Sequence, residues 1–405
     1  MRPALSERLK ALARDSAIVL AVTLGLILAL ELLLRLLAPQ ELVGIRVRGD
    51  HFSVPDSALG MRYVPGSIWR FRHPEYQATY SINPDGFRDA KQWSSQKPPG
   101  TIRVLLVGDS FTFGQGSDYD QIWPVLAERE LAQKGTKVEL VKAGIQGLDT
   151  RGELILMRRL VPRYDIDAVV VGFLINDLYF NKPYSSGPVP VRAAPGMGGI
   201  RESAIRAGDG NRSFHLLTLA RRIVSAGDAA YVSFYLRWPT VGNYFRLPLS
   251  KEAASQVEIT DTLFRQIATY CDSVGKPLIV FSMPQQFQIL YPRSGRSDPG
   301  VDVRYPDRHF SELAAALGFD WVPSLDSFIS ASKTAKQDLF YRLDGHFTPG
   351  GNVVAARVFI DEVIPKILAR TATSRGAVAW SEGRQGQMHA RAPDSGKRRG
   401  SAARY

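Results

Sequence analysis

The hydrophobic residues of the chain form one long run near the N-terminus and then a series of short runs separated by helical patterns. The long run, residues 17–37, reads AIVLAVTLGLILALELLLRLL and is interrupted only by Glu31 and Arg35. Its length, at about 1.5 Å per helical residue, suits a hydrocarbon core about 30 Å thick. Glu31 and Arg35 are four residues apart and can pair on one helix face. The run predicts a single transmembrane anchor.

Two other interpretations of this run rank lower. A cleaved signal peptide would have a shorter apolar region and a small-residue cleavage site, which the sequence does not show here. A buried helix of a soluble protein would not need basic residues on one flank only. The basic flank, residues 1–16, is expected to stay in the cytoplasm, which places the rest of the chain in the periplasm or outside the cell.

From Thr101 onward, uniformly apolar runs alternate with helical patterns. The runs predict strands at Ile102–Val107, Val138–Val141, Ala168–Phe173, Pro277–Ser282 and Phe319–Val322. The patterns between and after them predict helices at Ile122–Lys134, Arg151–Leu160, Val257–Val274, Pro306–Leu317 and Asn352–Leu368. Strands that are apolar on both faces indicate a parallel sheet covered on both sides. We therefore expect an α/β fold, a three-layer α/β/α sandwich with a mostly parallel sheet.

The remaining segments divide the chain around this domain, which we expect to span residues 101–370. Residues 38–100 contain scattered prolines and aromatic residues, and they are interpreted as a stalk or accessory segment with short strands. Residues 181–249 interrupt the alternation and predict a lid, a binding surface or a satellite packing element. Residues 371–405 are polar and basic, and we expect them to be disordered.

Composition and charge narrow the class of protein. The chain has 405 residues, of which 45% are hydrophobic and 22% charged, as in a globular protein. Its net charge of +12 is concentrated at the ends, because residues 1–14 carry +3 and residues 371–405 carry +5. A nucleic-acid partner is not expected, since its groove would need basic residues in the folded body. The single Cys271 cannot form an intrachain disulfide and is interpreted as a buried helical residue.

A candidate nucleophile follows the first predicted strand. That strand stops at Gly108, and Ser110 comes two residues later, at the start of a helical pattern. Open α/β sheets bind their ligands at this carboxyl edge. A serine hydroxyl needs a base and a group that orients the base. His346 lies in a Gly/Pro-rich loop two residues after Asp344, so Asp344 can reach Nδ1 and leave Nε2 as the base, as in a Ser-His-Asp triad.

Donors for a tetrahedral oxyanion are predicted at the same edge. Asn176 follows the strand Ala168–Phe173, and Gly147 follows the strand Val138–Val141. The Asn176 amide could point into the same crevice as Ser110, and Gly147 would offer a backbone N–H there. One such donor contributes about 2.7–4 kcal/mol of transition-state stabilisation.

Other chemistry is less favoured. The histidines outside the loop at 343–351 lack comparable surroundings and are interpreted as structural or surface residues. A phosphate-cradling turn at residues 110–114, of the kind that binds a flavin, would leave Asp344 and His346 without a role. No metal-ligand spacing is apparent. No cofactor and no metal are expected.

The ordered set Gly108-Asp109-Ser110, Gly147, Asn176-Asp177 and Asp344-x-His346 resembles the SGNH hydrolases, also called the GDSL lipase/esterase superfamily. The resemblance covers about residues 102–368. It implies a flavodoxin-like sheet and ester chemistry through an acyl-enzyme. It also implies that Ser110 is the nucleophile, His346 the base, Asp344 its orienting group, and Ser110, Gly147 and Asn176 the oxyanion donors.

The chain departs from the family pattern at two places. Phe111 stands at the fourth position of the GDSL motif, and the last block is D-x-H where many members have D-x-x-H. The shorter spacing is similar to that of envelope polysaccharide O-acetyltransferases, and the anchor followed by N-x-x-G-F-R at 83–88 is similar to membrane-tethered bacterial members. The expected partners are the membrane, envelope proteins, and an acylated glycan, lipid or small ester as substrate. A non-catalytic binding or scaffold protein on the same fold is the alternative.

Overall fold

A single long helix begins the structure. The computed structural model describes residues 5–40, 45–46, 52–181, 214–237 and 241–372. Helix α1 runs from Leu5 to Leu37 and is therefore longer than the predicted 17–37. Its segment Glu7–Leu37 contains an 18-residue window with a mean hydropathy of 2.7 and is long and apolar enough to cross a membrane. Arg35 Nε lies 2.8 Å from Glu31 Oε1, so the predicted pair is present.

Short antiparallel strands follow in the segment predicted as a stalk. Strands β1 (Ile45–Arg46), β4 (Ile68–His73) and β5 (Tyr76–Ser81) form a three-stranded sheet, and β2 (Ser53–Asp56) pairs with β3 (Gly60–Tyr63). Aromatic side chains hold this segment on the main domain, and Tyr63 and Tyr80 both pack against Phe113. These strands therefore share a core with the domain that follows.

The central sheet has five parallel strands, close to where the apolar runs predicted them. They are β6 (Ile102–Gly108), β7 (Val138–Gly144), β8 (Ala168–Leu174), β9 (Leu278–Met283) and β10 (Asp320–Pro323). Their order across the sheet is β10-β9-β8-β6-β7. If β6 to β10 are renumbered 1 to 5 and the sheet is read from the β7 edge, the order is 2-1-3-4-5. This is the flavodoxin-like order. The predicted fold is confirmed.

Helices cover both faces of this sheet. On one side lie α4 (Thr150–Leu160), α8 (Lys251–Ser273) and α10 (Tyr305–Leu317). On the other lie α3 (Trp123–Gln133), α11 (Leu325–Thr334) and α12 (Pro349–Val358), which continues through a π-helical turn at Phe359–Val363. Alternate residues of β6 serve the two cores, since Leu105 and Val107 join the first and Val104 and Leu106 join the second. This alternation produces the three layers.

The remaining helices are short or belong to the insert. They are α2 (Ser110–Phe113), α5 (Asn176–Phe180), α6 (His215–Ala226), α7 (Asp228–Arg237) and α9 (Gln286–Arg293). Neither α9, which contains Pro292, nor α11 was predicted, because both are short and lack a long apolar period. The Pro/Gly-rich start of the insert and nearly all of the tail predicted at 371–405 lie outside the described residues.

Candidate active site

Ser110 stands at the turn from β6 into a helix, as the sequence predicts. It is the first residue of α2, and Asp109 caps that helix by accepting a 2.8 Å hydrogen bond from Phe111 N–H. Gly114 ends the helix in the left-handed conformation. The strand, the cap and the short helix thus hold the serine at the carboxyl edge of the sheet.

Three glycines form a level row beneath α2. Gly108 pairs in register with Gly144 on one side and with Gly172 on the other. A Cβ at Gly144 would lie 2.4 Å from the backbone nitrogen of Phe113, and one at Gly108 would lie 2.1 Å from Thr112 Oγ1. Because side chains are absent from this row, α2 can cross the ends of three strands. The hydroxyl of Ser110 is thereby held at the carboxyl end of β6, between β7 and β8.

His346 meets both of its predicted partners. Its Nε2 lies 2.8 Å from Ser110 Oγ, and its Nδ1 lies 2.6 Å from Asp344 Oδ2. Gly345 between them has φ +82°, a conformation in which a side chain would be strained, and it lets the chain turn sharply between the two. With Nδ1–H donating to the carboxylate, Nε2 is free to accept the Ser110 proton.

His346 and Asp344 shift each other's pKa. Burial by itself would lower the pKa of His346, but the charge and hydrogen bond of Asp344 outweigh it and raise that pKa above its ordinary 6.5. Burial would raise the pKa of Asp344, but the His346 charge and hydrogen bond leave it lower than usual. The arrangement therefore stabilises an imidazolium beside a carboxylate, the charge state that follows proton transfer from serine.

The structure brings Asn176 to the same place through Asp109. The Asn176 amide Nδ2 donates a 3.0 Å hydrogen bond to Asp109 Oδ2, one residue before Ser110. Asp109 is buried, which raises its pKa, while the bonds from Asn176 and the Phe111 N–H oppose that rise. An amide nitrogen has two hydrogens, so the second can face an oxyanion beside Ser110. Asp109, missed as a functional residue by sequence reasoning, orients this amide.

Gly147 lies in the exposed turn after β7, three residues beyond the glycine row, with φ +73°. The neighbouring Gln146 is held from two sides. Its backbone N–H donates to the hydroxyl of Tyr63 at 2.9 Å, and its side chain donates to Gln115 Oε1 at 2.7 Å. Gln115 Nε2 in turn lies 3.5 Å from Asp344 Oδ1. A chain of amides thus runs from the Gly147 turn to the Asp344 carboxylate.

The segment predicted as a stalk supports both loops of the site. Glu75, between β4 and β5, accepts hydrogen bonds at Oε2 from the backbone N–H groups of Leu343 (2.9 Å) and Asp344 (3.0 Å). Burial raises the pKa of Glu75, and these backbone donors partly oppose that rise. Nothing in the sequence pattern around Glu75 pointed to this role.

Arg88, the last residue of the N-x-x-G-F-R stretch, supports the other loop. Its guanidinium is buried and donates to the carbonyl oxygens of Phe113 (2.9 Å), Gly114 (2.7 Å) and Ser117 (2.7 Å). Burial lowers the pKa of this group to about 10. Arg88 therefore binds the chain directly after α2, and the motif that contains it was a signal for its importance.

A pair of buried carboxyl groups lies behind Asn176. Glu153 on α4 is fully buried, and neither of its carboxyl oxygens has a hydrogen-bond partner within the described part of the chain. Asp177 accepts one bond, from Thr150 Oγ1 at 3.3 Å. Burial and the nearby acidic groups raise the pKa of both carboxyls well above the usual range. Among the described residues, no three His, Cys, Asp or Glu side chains converge to hold a metal ion.

Comparisons with known proteins give structural likeness only. No protein-family model matches the chain, and no curated protein matches it. Similar solved structures include an acetylxylan esterase from Geobacillus stearothermophilus, 15% identical, which covers 65% of this chain and 94% of its own, with a TM-score of 0.38.

Two further solved structures are similar to the same extent. A member of the lipolytic protein G-D-S-L family from Veillonella parvula is 13% identical and covers 65% of this chain and 98% of its own, with a TM-score of 0.34. The lipase/acylhydrolase from Enterococcus faecalis is 14% identical and covers 66% and 97%, with a TM-score of 0.36. Their descriptions agree with the resemblance that the motifs predict. Because these TM-scores are below 0.5, the functional proposal rests on the site's own geometry.

Proposed function

We propose that this chain is a serine esterase or O-acyltransferase of the SGNH type, held in the membrane by α1. The observation that carries the proposal is the continuous contact from Ser110 Oγ through His346 to Asp344, with separations of 2.8 and 2.6 Å. A hydroxyl, an imidazole and a carboxylate in this order are the parts needed to activate serine as a nucleophile. These three side chains come from the sequence blocks that resemble the SGNH hydrolases, which supports the assignment to that family.

The proposed reaction has two halves. Ser110 Oγ attacks the ester carbonyl carbon while His346 Nε2 takes its proton, and the carbonyl oxygen becomes an oxyanion. Asp344 stabilises the imidazolium that forms. The C–O bond to the alcohol then breaks, His346 returns the proton to the departing oxygen, and the acyl group stays on Ser110. In the second half, water or an acceptor hydroxyl attacks the acyl-enzyme, again with His346 as the base.

We propose that the oxyanion accepts hydrogen bonds from the backbone N–H groups of Ser110 and Gly147 and from the side chain of Asn176. The hydrogen bond from Asn176 to Asp109 supports this assignment, because it holds the amide beside the nucleophile in the free protein. A donor held in place before the reaction costs no reorganisation when charge develops. Removing the Asn176 amide should lower kcat by about 10²–10³-fold.

We propose an acyl, and specifically acetyl, ester of a cell-envelope glycan, lipid or small molecule as the substrate, with the catalytic domain outside the cytoplasm. The apolar length of α1 and the basic residues before it support this location. The short D-x-H spacing supports transfer to a sugar hydroxyl as the second half-reaction. Transfer and hydrolysis share the acyl-enzyme and differ only in the nucleophile that attacks it.

The test is labelling and turnover of the full chain in detergent. A fluorophosphonate probe should label the wild type on Ser110, and Ser110→Ala should lose both the label and turnover of an aryl acetate. Ser282→Ala is a matched control, since Ser282 is also a buried serine near the carboxyl end of the sheet but bonds Asp307. Full turnover by Ser110→Ala would remove Ser110 from the mechanism, whereas an unlabelled and inactive wild type would favour a scaffold protein instead. Intact-mass measurement of the acyl-enzyme with candidate donors would then identify the substrate class.

A further inference from the structure

Glu31 is a charged residue inside the apolar run of α1, yet it is only 5% exposed. The carboxylate has more partners than the Arg35 side chain expected from the sequence. Its Oε1 accepts the backbone N–H of His215, and its Oε2 accepts that of Leu216, both at 2.9 Å. These two residues begin α6, so a carboxylate of the anchor helix satisfies the free donors at the start of another helix.

Further contacts hold α6 against the end of α1. The backbone N–H of Gln40, three residues beyond α1, donates to His215 Nδ1 at 2.8 Å. Arg222, on the second half of α6, donates to Gln40 Oε1 at 3.2 Å. Glu31 lies six residues before the end of α1, which corresponds to about 9 Å along a helix axis. The start of α6 is therefore level with the last turns of the apolar helix.

The opposite side of α6 is mostly apolar, with the exposed Arg221 one turn after Leu217, and it is uncovered by the described residues. Phe214, Leu217, Ala220 and Ile223 follow one another at intervals of three, and Leu217 is 52% exposed and Ile223 64% exposed. Residues at this spacing are neighbours on a helix surface. Leu33, Leu36 and Leu37 in the last turns of α1 are exposed as well, close to the level at which α6 begins.

We propose that α6 lies in the lipid together with α1, with its face at Phe214, Leu217, Ala220 and Ile223 against the acyl chains. The occupant of this face is the bilayer, because α6 packs against the last turns of a helix that the proposed function places in the membrane. Backbone donors that enter lipid must be satisfied internally, and Glu31 satisfies those of His215 and Leu216. The same two hydrogen bonds explain why the anchor contains a buried acid, Glu31.

The position of α6 has a consequence for the catalytic loop. Helix α7 begins at Asp228, two residues after α6 ends, and Asp228 Oδ1 accepts a 2.7 Å hydrogen bond from Arg342 Nη1. Arg342 precedes Asp344 by two residues. An α6 held in the membrane therefore ties the loop that carries Asp344 and His346 to the membrane surface.

The test is spin-label accessibility in the full chain reconstituted into phosphatidylcholine vesicles. Labels are placed at Leu217→Cys and Ile223→Cys, with Leu24→Cys in α1 and Ile68→Cys on β4 as lipid and water references. All four native side chains are exposed, and the native Cys271 is buried, so the unsubstituted chain serves as the labelling blank. Power saturation is measured with oxygen, which concentrates in lipid, and with the water-soluble complex Ni-EDDA.

The ratio of oxygen to Ni-EDDA accessibility is expected to exceed one at positions 217, 223 and 24 and to fall below one at 68. A ratio below one at 217 and 223, with 24 still above one, would overturn the inference and leave the anchor intact. A ratio below one at position 24 as well would show that α1 does not lie in the lipid, and the proposed membrane anchor would then be wrong. Protection of 217 and 223 from both reagents, or spin–spin broadening there, would show that protein or a second copy covers the face and would also overturn the inference.

Discussion

Glu75 Oε2 lies 3.0 Å from the backbone nitrogen of Asp344, so a residue between the N-terminal strands β4 and β5 holds the loop that carries Asp344 and His346. Glu75→Ala would leave two backbone N–H groups without this acceptor, at a cost of about 1–3 kcal/mol. If the displaced loop raises the activation free energy by a similar amount, kcat should fall by about 10- to 100-fold. Steady-state kinetics on an aryl acetate would measure this.

Glu75→Gln is the control, because its amide oxygen can still accept both bonds and should keep kcat near the wild-type value. KM should change little in either variant, since the effect acts through the orientation of Asp344. A kcat for Glu75→Ala equal to that of the wild type would refute the positioning role. Equal losses in both variants would assign the effect to the charge of Glu75 and not to its acceptor.

Asp344 determines the pH range in which His346 is an effective base. Neutral His346 is needed to accept the Ser110 proton, so kcat/KM should fall as pH decreases through the His346 pKa, which lies above 6.5. Asp344→Asn removes the charge that raises this pKa, so the acid limb should move to lower pH. kcat should fall by about 10⁴-fold, since the amide introduced at this position favours the wrong tautomer of the imidazole and carries no charge to stabilise the imidazolium. A pH–rate profile whose acid limb stays in place would contradict this assignment.

The glycine row should tolerate no side chain beneath α2. Gly144→Ala would place a Cβ 2.4 Å from Phe113 N, so the backbone of α2 must move. We expect a loss of about 1–3 kcal/mol in the free energy of unfolding. Activity should fall as well, because Ser110 moves with the helix. Thermal unfolding and turnover measure the two effects.

Gly227→Ala is the matched control for that substitution, since its nearest neighbour would be Ala230 Cβ at 3.9 Å, an ordinary contact. Its stability should stay within about 0.5 kcal/mol of the wild type. If Gly144→Ala behaves like the control, the row does not constrain α2.

Glu153 should make the protein less stable as pH rises. Its pKa is raised in the folded state by burial and by nearby acidic groups, while in the unfolded chain it is about 4.3. Between these two values the native state holds one more proton than the unfolded state. The free energy of unfolding then decreases by about 1.4 kcal/mol per pH unit for this proton.

Glu153→Gln removes that proton linkage. Relative to the wild type, its stability should decline less steeply above pH of about 4.3 and should be higher at neutral pH. Unfolding temperatures measured across pH would test this, with Glu130→Gln on the exposed surface of α3 as the control. The same slope in wild type and Glu153→Gln would mean that this carboxyl is ionised in the folded protein.

The amino-acid sequence alone determined the strands, the layers and the identity of the triad candidates. Buried parallel strands must be apolar on both faces, so the apolar runs of the sequence identify β6–β9. Because the strands are parallel, their carboxyl ends share one edge of the sheet. Ser110, Asn176, Gly147, Asp344 and His346 could be placed at that edge because each follows a strand or precedes a helix. The predicted roles of these residues remain proposals.

Only the tertiary structure showed what Glu75, Arg88, Asp109 and Glu31 contact. Glu75 meets Asp344 across a sequence separation of 269 residues, and Glu31 meets His215 across 184. Contacts of this kind depend on how separate elements dock, and no local period or spacing encodes them. Local patterns predicted the secondary structure and the candidate chemistry, whereas packing between distant segments decided which side chains support the site and which helix lies beside α1.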